Sequence, residues 1–256
     1  MDRYLEAAIT ANNGKAIIIN QPFGAGDLLF SEPIARKYHN EGYVVIWPVE
    51  DQFFWIHTYI DYVHFRRKSE FSGFDYELCR DDYKFEGILV LPLRFSNPLL
   101  RGLEPHDGSD RAHWMNDKYE RLGLPVDMWK SLQWTRNEAK EDELYELMEL
   151  DKLNGYAFIN ENFGGGITNA GLIGHIEVKQ KAFVRMRPIK GFTMLDWAKV
   201  ICNASEVHTV ETSVMYMIEG LPCKADKFHL YPRKPETTLN QVKNIISTNK
   251  WILHEG

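Results

Sequence analysis

Asp27 is the first residue of the sequence whose type and position suit acid–base chemistry. It lies in the stretch FGAGDLLFSEPIA, between the β-branched run KAIIIN and a segment with helical periodicity. Gly24 and Gly26 allow a tight turn and the close approach of a ligand or its phosphate groups. A carboxylate at such a strand-to-helix turn can act as a general base, or it can simply complement the helix dipole. The sequence leaves both roles open.

A second group of candidate residues follows a short apolar strand in VHTVETSVMYMIEGL. Glu211 stands at the end of that strand and could accept hydrogen bonds from the hydroxyl groups of a ribose or another sugar. Thr212 and Ser213 stand at the start of the following helix, where hydroxyl groups and free N–H groups together suit a pyrophosphate. Ordinary helix capping by either hydroxyl residue is the alternative.

Two arginines in AFVRMR could bind phosphate. Arg185 and Arg187 are two residues apart, so a β-strand would place both guanidinium groups on the same face. A guanidinium group matches phosphate oxygens and could neutralise a departing diphosphate. Ion pairing with carboxylates of the protein is the competing interpretation. The glycines at 164–166 are interpreted as a flexible loop.

Other classes of function have no support in the sequence. The formal net charge is −6 and the basic residues are dispersed, which argues against a nucleic-acid partner. We expect no metal and no cofactor, because there is no D-x-D sequence and the nine histidines show no recognised ligand spacing. Motifs of serine hydrolases and P-loop enzymes are also missing.

The pattern of elements predicts an α/β protein with mostly parallel sheets. Strands alternate with helices, and the alternation starts again near Gly155, which indicates two domains. We place the domains at residues 1–130 and 131–256. Strands are predicted over residues 15–20, 43–47, 87–93, 155–160, 182–187, 206–210 and 227–232, helices over 31–40, 193–204, 213–221 and 239–247, a further helical region over 113–150, and loops over 66–68 and 95–110.

Together, the stretches GAGDLLFSEPIA and VETSVMYMIEGL resemble the GT-B glycosyltransferases of the heptosyltransferase-like kind, glycosyltransferase family 9. In that family the first strand ends in a small-x-G-D turn, and a helix bearing a proline follows. A late strand ends in V-D-T-G or a similar sequence, and a helix follows there too. This chain has Glu211 for the usual Asp, Ser213 for the usual Gly and Tyr216 where the family commonly has His.

The resemblance implies two Rossmann-like domains that face each other across a cleft, the first for the acceptor and the second for a nucleotide-sugar donor. It implies that Asp27 deprotonates the acceptor hydroxyl of a glycan or glycolipid, in a metal-independent and inverting transfer. Arg185, Arg187, Glu211, Thr212 and Ser213 would then bind the donor, and Gly24 and Gly26 would form the acceptor or phosphate loop.

Two other functions fit the same resemblance. One is a nucleotide-sugar epimerase or hydrolase, and the other is a degenerate GT-B scaffold that only binds its partners. The composition, 44% hydrophobic and 26% charged, is typical of a soluble protein, and the sequence does not open with a basic and then apolar leader pattern. We therefore expect a cytoplasmic location. The sequence leaves open a peripheral contact with a membrane that carries a lipid-linked acceptor.

Overall fold

The computed structural model describes residues 9–10, 14–76, 82–94, 111–162, 176–180, 182–233, 239, 245–246 and 249–254, without the side chains of 111–114. The chain divides into two compact units, Met1–Thr135 and Arg136–Gly256. The sequence predicts the boundary between the two domains at residues 130 and 131. Within the described ranges, no helix is both long enough and apolar enough to cross a membrane. The predicted loops at 95–110 and 164–166, and all of the predicted closing helix at 239–247 except residues 239, 245 and 246, lie outside the described residues.

The first unit contains a five-stranded sheet with the order β3-β2-β1-β5-β4. The strand β1 in its centre is a run of small and β-branched residues that is buried along its whole length, as expected for a parallel strand covered on both faces. All pairs are parallel except β4 with β5, which is antiparallel. The strands are β1 (Ala16–Ile19), β2 (Val44–Val49), β3 (His64–Arg67), β4 (Lys84–Phe85) and β5 (Ile88–Leu91).

The helix that carries Asp27, α1 (Ala25–Asn40), begins well before the predicted start at residue 31. Gly24 caps it with a φ of 83°, a left-handed conformation that glycine adopts without strain. Pro33 is therefore inside the helix rather than in its first turns, and the prediction about its position is wrong. The unit also contains α2 (Arg111–Glu120) and the 3-10 helices Asp51–Thr58, Lys68–Glu70 and Val126–Ser131. Arg66 and Arg67 belong to β3, not to the predicted loop.

The second unit contains a five-stranded sheet in which every pair of neighbours is parallel, in the order β10-β9-β8-β6-β7. Its strands are β6 (Ala157–Asn160), β7 (Phe183–Arg185), β8 (Glu206–Val210), β9 (Lys227–Tyr231) and β10 (Trp251–Leu253). Its helices are α3 (Glu138–Leu147), α4 (Ala198–Asn203) and α5 (Ser213–Gly220), with 3-10 helices over Leu150–Lys152 and Leu195–Trp197. The predicted helix at 193–204 is thus a 3-10 turn that continues into α4.

Both strand orders contain a point where the chain changes direction along the sheet. In the first unit this switch point lies between β1 and β5, and in the second it lies between β6 and β8. Open α/β sheets bind ligands beyond the carboxyl ends of the strands at such points, because the connections leave in opposite directions and open a crevice. The residues after β1, β5, β6 and β8 are therefore the first places to look for a site.

Candidate active site

The turn between β1 and α1 holds the carboxylate of Asp27 against the backbone. Asp27 is the third residue of α1, and about a quarter of its side chain is exposed. A Cβ atom placed on Gly24 would lie only 2.5 Å from Oδ2 of Asp27, closer than a Cβ atom comes to another atom unless one of the two shifts. The positive φ and this close approach both require glycine at position 24. The turn is thus shaped around the carboxylate.

Lys118 of α2 is the charged partner of Asp27, and the sequence analysis did not find it. Its Nζ lies 3.2 Å from Oδ1 of Asp27, and it donates to Oε1 of Gln21 at 2.6 Å and to the carbonyl oxygen of Leu93 at 2.5 Å. The lysine side chain is only 2% exposed. Gln21 follows β1 and Leu93 follows β5, so the ammonium group lies at the switch point of this sheet.

A buried acid further along α1 fixes the helix in place. The carboxylate of Glu32 accepts hydrogen bonds from the hydroxyl of Tyr62, from Nε of Arg36 at 2.9 Å and from the backbone N–H of Gln133 at 3.0 Å. Burial raises the pKa of Glu32 above its usual range, although these donors oppose the shift. Arg36 also donates to Oγ of Ser131 at 3.0 Å. The network ties α1 to the segment after the 3-10 helix Val126–Ser131, which keeps Asp27 in position.

In the second unit, Asn160 at the end of β6 binds the turn that follows β8. Its Nδ2 donates to Oγ1 of Thr209 at 3.0 Å and to Oγ1 of Thr212 at 3.1 Å. Thr212 occupies the N-cap position of α5, but its side chain makes no capping hydrogen bond. The predicted alternative, capping by the Thr212 hydroxyl, is therefore wrong. The hydroxyl instead joins β6 to the β8 turn at the switch point.

Glu211, Thr212 and Ser213 lie together at the carboxyl end of β8. The backbone N–H of Glu211 donates to the carbonyl oxygen of Tyr231 at 3.0 Å, and its own carbonyl oxygen accepts from Nε of Arg233 at 2.6 Å. Glu211 and Thr212 are buried, whereas Ser213 is half-buried. The turn before α5 therefore offers one hydroxyl residue and the start of an eight-residue helix to a ligand.

The two arginines of the predicted phosphate site have different surroundings. The strand β7 ends at Arg185, so the alternation that would place Arg187 on the same face does not extend that far. Arg185 forms an ion pair with Glu161 and donates from Nη2 to the carbonyl oxygen of Ile176 at 3.0 Å. Arg187 is exposed and lines a shallow depression on the surface beside Met148. The structure thus brings Arg185, but not Arg187, into an ion pair with an acid at the end of β6.

Glu161 is a further residue that the sequence analysis missed. It follows β6 directly, is 5% exposed, and accepts from the backbone N–H of Ile176 at 2.5 Å. Its signal in the sequence is an acid placed immediately after a largely apolar strand, GYAFIN. Lys118 has no such signal, because the surrounding segment RAHWMNDKYERL contains several charged residues of similar appearance.

Comparison with known proteins identifies a solved structure with a similar fold. No protein-family model matches the sequence, and a search of curated proteins finds no significant match. The structure of a glycosyl transferase of family 9 from Veillonella parvula is similar, with a TM-score of 0.52 and 12% identity, over 94% of this chain and 86% of that chain. The chain therefore shares the mixed α/β fold, with two parallel-rich sheets, of that glycosyl transferase.

Proposed function

We propose that the chain is a glycosyltransferase that moves a hexose, pentose or heptose from a nucleoside-diphosphate sugar to a hydroxyl of a glycan or glycolipid. One observation carries the proposal: a partly exposed carboxylate, Asp27, lies in a glycine-shaped turn at the switch point, beside the buried ammonium group of Lys118. The similarity of the fold to a family 9 glycosyl transferase supports it.

Asp27 would act as the general base. In an inverting displacement the carboxylate takes the proton of the acceptor hydroxyl while that oxygen bonds to the anomeric carbon, and the bond from this carbon to the diphosphate oxygen breaks. Such a base needs a fixed orientation and an open side. Gly24 and Lys118 supply the orientation, and the exposed quarter of the side chain supplies the opening.

The second unit would bind the donor without a metal ion. Buried Glu211 would accept hydrogen bonds from the ribose, and Ser213 with the free N–H groups of α5 would bind the diphosphate. Arg187 is exposed and can approach phosphate oxygens directly, whereas Arg185 would have to share its guanidinium group with Glu161. The growing negative charge of the leaving diphosphate would be stabilised by these donors.

The first experiment identifies the donor by thermal shift. Purified protein in a chelating buffer is heated with UDP, GDP, ADP, CMP and their common sugar conjugates, because a ligand that binds the native state raises the melting temperature. A selective shift with one nucleoside diphosphate supports the donor site. No shift with any nucleotide favours a scaffold that only binds other partners, and loss of sugar without an acceptor favours the hydrolase or epimerase.

The second experiment tests Asp27 itself with the donor found in this way. Acceptor glycans are screened by release of the nucleotide, and the Asp27→Asn variant is compared with Asp51→Asn, an exposed acid on the first 3-10 helix. Loss of a general base lowers transfer by about 100-fold or more, while donor binding is retained. Transfer at the normal rate by Asp27→Asn, or a product with retained anomeric configuration, would remove Asp27 from this role.

A further inference from the structure

A cluster of histidines lies on one face of the second sheet, away from the residues considered so far. Glu206 and His208 are two residues apart on β8, so they share a face, and His229 of β9 pairs with His208 in register. The two imidazole rings are stacked with centroids 4.4 Å apart and planes within 6°. One ligand atom from each of the three side chains lies within 4.8 Å of the others.

We propose that Glu206, His208 and His229 bind one divalent transition-metal ion, and that Zn²⁺ is the ion their donor atoms fit best. Two imidazole nitrogens and a carboxylate oxygen are ligands that zinc commonly takes in proteins. Tetrahedral zinc with bonds of ordinary length separates its ligand atoms by about 3.4 Å. The distances from the two carboxylate oxygens of Glu206, 3.0 Å from Oε1 to His229 Nε2 and 3.8 Å from Oε2 to His208 Nε2, lie on either side of this value.

An unpartnered nitrogen points to the missing ligand. Nε2 of His208 is buried and has no hydrogen-bond partner, and its distance from Glu206 exceeds that of a hydrogen bond. The side chain of His208 is 5% exposed, so water cannot replace the partner readily. A buried polar atom without a partner is costly to the folded state. A metal ion between the three side chains would satisfy this nitrogen and would replace the hydrogen bond that joins Nε2 of His229 to Oε1 of Glu206 at 3.0 Å.

The other nitrogen of each ring lies within hydrogen-bond distance of a polar atom. Nδ1 of His208 lies 3.1 Å from Oη of Tyr231, and Nδ1 of His229 lies 2.8 Å from Nε2 of His254. Partners of this kind fix the orientation of a ligating ring and leave its second nitrogen for the metal.

The cluster is separate from the candidate donor site. Glu206 is the first residue of β8 and Glu211 follows its last, so their Cα atoms are about 16 Å apart along the strand. The ion would bridge β8 and β9 and stabilise the second unit, without a part in sugar transfer. The proposal therefore does not depend on the proposed function, and metal-free protein is expected to keep its nucleotide binding.

Metal binding by the full chain without a polyhistidine tag tests the proposal. Protein freed of metal by a chelator is titrated with Zn²⁺ by calorimetry, and the absorption spectrum is recorded with Co²⁺ in place of zinc. We expect one ion per chain, a higher melting temperature, and the intense visible bands of Co²⁺ in a site of low coordination number. No binding, or a Co²⁺ spectrum like that of the hydrated ion, would overturn the proposal.

Two variants locate the ion. Glu206→Gln and His229→Gln preserve the size of the side chains, and each is expected to weaken Zn²⁺ binding by about 10-fold or more, since each removes one ligand of three. Glu177→Gln, an exposed acid of the same unit, and His57→Asn, an exposed histidine of the first unit, serve as controls with unchanged affinity. Circular dichroism verifies that every variant is folded. Equal zinc affinity in the ligand variants and the wild type would show that the ion binds elsewhere, and the proposal would fail.

Discussion

Replacing Lys118 with methionine tests the physical basis of the Asp27 site. Methionine fills a similar volume but cannot donate a hydrogen bond. Gln21 and Leu93 are buried, so the two acceptor oxygens they supply to Lys118 would lose their donor without gaining water. Each such loss costs about 1–3 kcal/mol.

The ion pair with Asp27 adds less to this cost. A quarter of the Asp27 side chain is exposed, so water replaces part of the lost interaction, and its share is about 1 kcal/mol or below. Burying methionine in place of an ammonium group offsets part of this loss in the free energy of unfolding, because no charge has to be desolvated in the folded variant. The net loss in the free energy of unfolding is expected to be about 2–4 kcal/mol.

Urea unfolding, followed by tryptophan fluorescence and circular dichroism, measures the loss. Lys130→Met removes an exposed lysine that pairs with Asp127, and its cost is expected to stay within about 0.5 kcal/mol. Hydrogen exchange of peptides from residues 16–49 shows whether the loss is located around β1 and α1. A cost for Lys118→Met as small as that of the control would refute the inference that its hydrogen bonds stabilise the switch point.

A double-mutant cycle separates the ion pair from the hydrogen bonds. Asp27→Asn is combined with Lys118→Met, and the difference from additivity gives the coupling between the two side chains. We expect a coupling of about 1 kcal/mol, since a quarter of the Asp27 side chain remains in contact with water. If the two substitutions were strictly additive, Lys118 would not position Asp27 energetically, and its proposed orienting role would have to be abandoned.

Three further outcomes are expected. Gly24→Ala and Gly42→Ala should each destabilise the chain by about 1–2 kcal/mol, since both glycines have positive φ. Only the first displaces the carboxylate of Asp27, so only Gly24→Ala should abolish transfer in the nucleotide-release assay. Burial raises the folded-state pKa of Glu32, so the contribution of this residue to stability is complete below pH 4.5 and is lost as the pH rises through the folded pKa. The free energy of unfolding of wild type, measured from pH 4 to 8, should show this decline, and that of Glu32→Gln should not. Glu161→Gln should free the guanidinium group of Arg185 and strengthen nucleoside-diphosphate binding in calorimetry, and weaker binding would contradict a phosphate role for Arg185.

Most strands of the two sheets could be predicted because their signal is local. The run KAIIIN contains three isoleucines that are all buried in β1, and EVHTV forms β8 with the predicted bounds. The mixed α/β class follows from the alternation of such runs with helical segments. The short strands β3, β4 and β10 were missed because HFRR, KF and WIL are too short or too polar to show the apolar run or the alternation that marks a strand.

The start of α1 shows where a local rule fails. Proline is favoured in the first turn of a helix, so Pro33 indicated a start near residue 31. The helix instead begins at Ala25, because Gly24 adopts a conformation closed to other residues and the helix packs through its buried face. Proline in the interior removes one backbone hydrogen bond, a loss that packing of the helix offsets. Tertiary contacts thus overrode a correct but weak preference.

The sequence by itself determined the turns that carry Asp27 and Glu211, since glycine conformations, strand ends and helix starts depend on neighbouring residues. Only the tertiary structure decided their partners. Lys118 meets Gln21 across 97 residues, and His208 meets His229 because two strands pair in parallel with one particular register. Such contacts depend on how distant segments pack and on which charges can be buried together, and no spacing within the sequence expresses that.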